Sequence, residues 1–141
     1  MRIALGSDQS TEVTAALERD LRARGYDVEL IGALKAGDDD AWPSVGRRVG
    51  ESVASKTCDC GIVCCWSGTG VSIAANKVLG VRAALCNDAQ TSALAREWND
   101  ANVLALSLRV TPPAEVTAIL DAWFATPPTA DQKYRGMIEQ V

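Results

Sequence analysis

Five short, largely apolar runs, at residues 2–6, 28–31, 62–65, 81–86 and 102–106, alternate with helical patterns along the whole chain. Each run is too short for a helix and reads as a strand. Val13, Leu17 and Leu21 fall four apart, with Gly25 closing the pattern, which predicts an amphipathic helix. Pro43 opens a second helix, to about residue 56, with Val45, Val49 and Val53 on one face. A third covers residues 71–78, and Asn87-Asp88 cap a fourth that reaches Trp98. Pro112-Pro113 start a fifth, whose Val116, Ile119, Leu120 and Trp123 form an i, i+3, i+4, i+7 stripe. Pro127-Pro128 end it, and residues 129–141 read as a terminal helix or arm. Strand followed by helix, five times over, predicts one domain across residues 1–141. Its fold class is α/β, a three-layer αβα sandwich around a five-stranded parallel sheet of Rossmann-like type. Right-handed crossovers bring every loop that follows a strand to one edge, where ligands of such sheets bind. Ser7-Asp8-Gln9, residues 65–70 and Asn87-Asp88 therefore converge on one rim.

Composition narrows the class of partner. At 141 residues, 48% hydrophobic and 23% charged, the chain is long enough for a sizeable core. A formal charge of −4 without a Lys/Arg cluster argues against nucleic acid. No apolar run approaches the ~18 residues of a membrane span, and Asp8 interrupts the first run, unlike a signal peptide. The expectation is a cytoplasmic enzyme or binding module. Five cysteines and no histidine do not make a zinc spacing, so no metal is expected. Strand alternation predicts Cys58, Cys60 and Cys64 on one face and Cys65 on the other, with all but Cys65 acting as small buried hydrophobes. The acidic turn at residues 37–40 reads as a solvated loop, since it lacks a calcium-loop spacing.

The stretch GIVCCWSGTGVSIAANK, residues 61–77, carries the chemistry. A buried strand runs into the small-residue turn Ser67-Gly68-Thr69-Gly70 and then into a helix start. Unpaired N–H groups and the positive end of the helix dipole meet there, a geometry that binds anions. The turn is neither a full dinucleotide fingerprint nor a P-loop, and a plain tight connection is its structural alternative. Cys65 ends the strand beside it.

Together with GVRAALCND and REWNDANVLAL further on, and RIALGSDQS at the start, this stretch resembles the ribose-5-phosphate isomerase B / galactose-6-phosphate isomerase family over nearly the whole chain. The family pattern has Asp-His after the first strand, Cys-Gly-Thr-Gly at the thiol and His-Asn before the fifth strand. This chain keeps Asp8, Cys65 and Asn99. Gln9 replaces the first histidine, Trp66 a glycine, and Trp98 the histidine thought to open the sugar ring.

The resemblance implies a cofactor-free aldose–ketose isomerase of a small sugar phosphate. Cys65 would be the base and Thr69 would lie near the oxyanion. Ser67, Gly68 and Gly70, with Trp66, would form the turn around it. Asp8 and Gln9 would hold sugar hydroxyls, and Asn99 would bind substrate. Arg109 would meet the phosphate with Lys133 and Arg135, whose Lys-Tyr-Arg-Gly-Met context lacks the family's second arginine. The resemblance also implies a homodimer that shares active sites through the Asn99 region and the C-terminal arm. Indole carries no titrating proton, so with Trp98 in the acid's place an open-chain tetrose 4-phosphate is expected to turn over better than ribose 5-phosphate. Other readings stay open: a non-phosphorylated or pathway-specific substrate, or a non-catalytic sugar-binding subunit. For Trp98, packing at a helix end is the structural alternative.

Overall fold

A computed structural model describes all 141 residues. Five strands alternate with helices: β1 (Arg2–Ser7), α1 (Glu12–Ala23), β2 (Asp27–Gly32), α2 (Trp42–Ala54), β3 (Cys60–Cys65), α3 (Thr69–Asn76), β4 (Ala83–Leu85), α4 (Ala89–Asn99) and β5 (Val103–Ser107). A 3₁₀ turn at Pro113–Glu115 leads into α5 (Val116–Ala125), and α6 (Gln132–Ile138) follows the proline break. The helix starts have local causes. Thr11 and Thr14 form a reciprocal capping box on α1. Pro43 sits in the first turn of α2, where a missing N–H costs nothing. The Asp88 carboxylate caps α4 by accepting the Thr91 N–H at 2.7 Å.

All pairings are parallel and the strand order is β2-β1-β3-β5-β4, so the expected three-layer fold is the one observed. The two faces of the sheet carry separate cores. Ile3, Leu5, Ile62, Cys64 and Leu104 pack against α1, α4 and α5, while Ala4, Val63, Cys65 and Val103 pack against α2 and α3. From β1 the chain crosses one face to β2; from β3 it crosses the other face toward β4. Neighbouring strands whose crossovers diverge in this way open a crevice at their carboxyl ends, the usual ligand position in such sheets. Asp8 follows β1, and Cys65 ends β3.

Three expectations need correction. Cys58 does not share a face with Cys60 and Cys64. It lies in the turn before β3, which strand alternation does not reach, and packs in the α2–α3 core with Cys65. The acidic turn is not simply solvated. The Asp38 carboxylate accepts the Gly32 N–H at 2.9 Å and an Arg48 N–H at 2.9 Å. Arg48 and that N–H hold the Asp38 pKa down to about 2. Asp38 thus staples the β2–α2 loop. Finally, β4 is shorter than the run 81–86. The Val81 N–H closes a turn onto the Val78 carbonyl, and the Arg82 N–H goes to the Asn102 side chain.

Candidate active site

Cys65 is 5% exposed. Its carbonyl accepts N–H groups from Gly68 (3.2 Å) and Leu108 (3.0 Å). The Trp66 carbonyl accepts the Arg109 N–H at 3.0 Å and the Ser107 hydroxyl at 2.8 Å. The backbone around the thiol is therefore fixed from the β5–α5 loop as well as from its own strand. Gly68 then turns the chain with φ 75°, a left-handed conformation suited to glycine. A Cβ there would stand 2.9 Å from the backbone of Leu106 and Ser107, so α3 starts pressed against β5.

Helix α3 has no side-chain cap, and its first intrahelical bond is the one Ser72 donates to Gly68 at 3.3 Å. The N–H groups of Thr69, Gly70 and Val71 precede that bond and stay available at the positive end of the helix. The Ser67 and Thr69 hydroxyls share a 2.7 Å hydrogen bond beside them. The rim thus offers a thiol and a cluster of oxyanion donors.

The β1–α1 loop supplies the opposite wall. The Ser7 hydroxyl donates to the Gln9 carbonyl at 2.7 Å and accepts the Gln9 N–H at 3.2 Å, setting the turn that presents Asp8. The Asp8 N–H donates to the Cys64 carbonyl at 3.4 Å. Asp8 Oδ1 is closed off from solvent with no hydrogen-bond partner. Burial raises the Asp8 pKa against the lowering effect of its own backbone N–H on the carboxylate, and the charge of Asp40 raises it further. The other cysteines are inert. Burial pushes Cys58 up to about 11, Cys60 and Cys86 to about 12, and Cys64 higher still.

Arg109 lies further along the rim, in a cavity of about 440 Å³ lined also by Thr11, Glu12 and Thr111. The structure therefore brings Asp8, Gln9, Cys65, Trp66, Ser67, Gly68, Thr69, Gly70 and Arg109 to one edge. Trp98, Asn99, Lys133 and Arg135 do not join them. They sit at the opposite edge of the sheet, where α4 ends and α6 packs on it, and Trp98 and Asn99 line a cavity of about 600 Å³ with Tyr134 and Met137. Trp98 meets Tyr134 edge-on at 4.8 Å and remains 38% exposed, so it packs on the arm rather than in the core. The Thr129 N–H bonds the Glu97 carbonyl at 2.8 Å, docking the start of the arm on α4.

Two rim residues escape a reading of the sequence, Trp42 and Asp40. A Cβ on Gly70 would stand 2.9 Å from the Trp42 ring, so that indole lies over the start of α3. The available signal was a large aromatic outside the Val45-Val49-Val53 stripe, immediately before Pro43.

A parallel α/β sheet with a thiol and free helix-terminal donors at its crevice is an arrangement suited to a small, anionic ligand. The family described as Ribose/Galactose Isomerase matches residues 3–141, and the chain belongs to that family. It is 36% identical over 140 residues to ribose-5-phosphate isomerase B of Mycobacterium tuberculosis, covering 99% of this chain and 86% of the relative. The solved ribose-5-phosphate isomerase B of Clostridium thermocellum superposes with a TM-score of 0.85 at 37% identity, over 99% of this chain and 94% of that one. A Mycoplasma genitalium ribose-5-phosphate isomerase B with bound ribulose 5-phosphate gives 0.84 at 30% identity, over 99% and 91%.

Proposed function

We propose that this protein is an aldose–ketose isomerase of a small sugar phosphate, of the ribose 5-phosphate/ribulose 5-phosphate type, with Cys65 as the base. The observation that carries the reading is the Cys65 thiol at the carboxyl end of β3, beside the uncapped start of α3. The Cys65 thiolate removes the C2 proton of the open-chain aldose. The C–H electrons form the C1–C2 double bond, and charge collects on O1. The Thr69, Gly70 and Val71 N–H groups and the paired Ser67 and Thr69 hydroxyls stabilise that oxyanion. Return of the proton to C1 restores the thiolate and leaves the ketose. Asp8 and Gln9 face the sugar hydroxyls, and Arg109 binds the phosphate.

In this reading a second copy completes the site, bringing Asn99 and the Trp98 end of α4, together with Lys133 and Arg135, to the thiol of its partner. Asn99 supports it, being exposed with a carboxamide that bonds nothing in its own chain. Apolar Leu79, 96% exposed, and Met137, 51% exposed, also suit a contact between copies. A four-carbon aldose 4-phosphate is the second reading, favoured by two indoles at the rim, Trp42 over Gly70 and Trp66 at 57% exposure.

The test is exchange of substrate C–H hydrogen with D₂O, followed by NMR with ribulose 5-phosphate and with four-carbon ketose 4-phosphates. Wild type incorporates deuterium and Cys65→Ala does not. Exchange that survives the substitution moves the base to another group.

A further inference from the structure

We infer that Asp8 opens the sugar ring, acting as a neutral carboxylic acid that protonates the ring oxygen in a chain without a single histidine. The inference rests on the isomerase reading above. An aldopentose 5-phosphate closes through its 4-hydroxyl into a furanose, and C2 cannot lose its proton to give the enediolate until that ring opens. Opening needs an acid at the ring oxygen, and few rim groups qualify. The Ser67 and Thr69 hydroxyls are too weak, Gln9 has no titrating proton, and Arg109 does not release one. Cys65 is already used as the base. Asp8, Glu12, Asp40 and Asp88 remain; Glu12 and Asp40 stand exposed, and Asp88 is exposed and committed as the cap that accepts the Thr91 N–H.

Asp8 is placed differently. Its Oδ1 is sealed with no donor to satisfy it, while the residue as a whole stays part-exposed at the rim. Ionisation would leave charge on a desolvated oxygen that nothing solvates. The titratable groups beside it are Cys64 on β3 and Asp40 from the β2–α2 loop, and neither is a cation. Burial and then the Asp40 charge therefore favour the protonated acid, and the Asp8 pKa is raised accordingly. The position is also right. Ser7 pairs with Cys64 across β1 and β3, so the residues that follow, Asp8 and Cys65, flank the same crevice.

The step balances on one carboxyl. The proton of Oδ2–H passes to the ring oxygen, and the bond from C1 to that oxygen breaks with its electron pair going to the oxygen. The anomeric O–H electrons close the C1 carbonyl, and its proton returns to Oδ2. Asp8 ends as it began, and the aldehyde chain is free for Cys65.

Ribulose 5-phosphate separates this role from every other, because its only oxygen able to close a five-membered ring is esterified. Its exchange with D₂O needs Cys65 but no ring opening. Asp8→Asn keeps a hydrogen-bonding side chain without an acidic proton. The variant should lose about 10²–10⁴-fold more in turnover of ribose 5-phosphate than in deuterium exchange into ribulose 5-phosphate, where any loss reflects only its contact with the sugar hydroxyls. In wild type, kcat/KM for ribose 5-phosphate should fall as pH rises through the Asp8 pKa, a limb missing from the exchange profile. Equal losses on both substrates, no loss on either, or identical pH profiles overturn the assignment. Absence of wild-type exchange overturns the isomerase reading itself, a different result from exchange that survives without ring opening.

Discussion

Arg109 differs from the other arginines near the ends of the sheet. Arg24, Arg48, Arg82 and Arg96 are each held by an aspartate, whereas Arg109 forms no ion pair and stands exposed on the rim. A guanidinium left free at the edge that carries the thiol is suited to a substrate phosphate. Arg109→Ala should raise KM for sugar phosphates roughly 10–100-fold, the loss of a charged hydrogen bond, and leave kinetics on unphosphorylated sugars unchanged. Steady-state kinetics on both substrate types checks this. Equal losses on both would remove Arg109 from phosphate recognition. Its proposed role came only through the family resemblance, because a lone arginine after a strand has no pattern of its own. Cys65 was legible from position alone, at a strand end before a Gly-rich turn. Cys58 was not, because alternation assigns a face only to residues inside the strand.

The turn from β3 into α3 is the element on which the site depends. Its identity could be read from the small residues between an apolar run and a helical one, and so could the open N–H groups. Its neighbours could not. Trp42 reaches Gly70 and the Asp38 staple fixes the loop behind it through tertiary contacts, and no local period encodes either. Gly68 tests the element without touching the thiol. Its φ of 75° and the absence of room for a Cβ mean that Gly68→Ala forces both a strained backbone and a shift of α3 from β5. Urea denaturation should show a loss of about 1–3 kcal/mol, with activity falling as the donors move off the oxyanion. A variant as stable and active as wild type would show that the turn tolerates relaxation.

Across the whole molecule, the alternation of strand and helix was enough for a parallel sheet with one functional edge. The strand order was encoded more faintly. Val103, Leu104, Ala105 and Leu106 are all fully buried, as suits a strand covered on both faces, while Ala83–Leu85 are only half-buried at the sheet edge. The unbroken apolar run at residues 103–106 was the available signal that β5 lies inside β4. The alternation already put the end of α4, with Trp98 and Asn99, at the edge away from Cys65, whereas no local period could place Lys133 and Arg135 there. That separation is why the proposed site spans two copies, with the base on one and the carboxamide on the other. Subunit mixing tests this most directly. Cys65→Ala and Asn99→Ala proteins should each be nearly inactive alone. Unfolded together and refolded at equal concentration, they should regain about a quarter of wild-type isomerase activity, since half of randomly paired two-fold dimers hold one site with both residues intact. A mixture no more active than its components would contradict the composite site, and an active Cys65→Ala protein would contradict the thiol base.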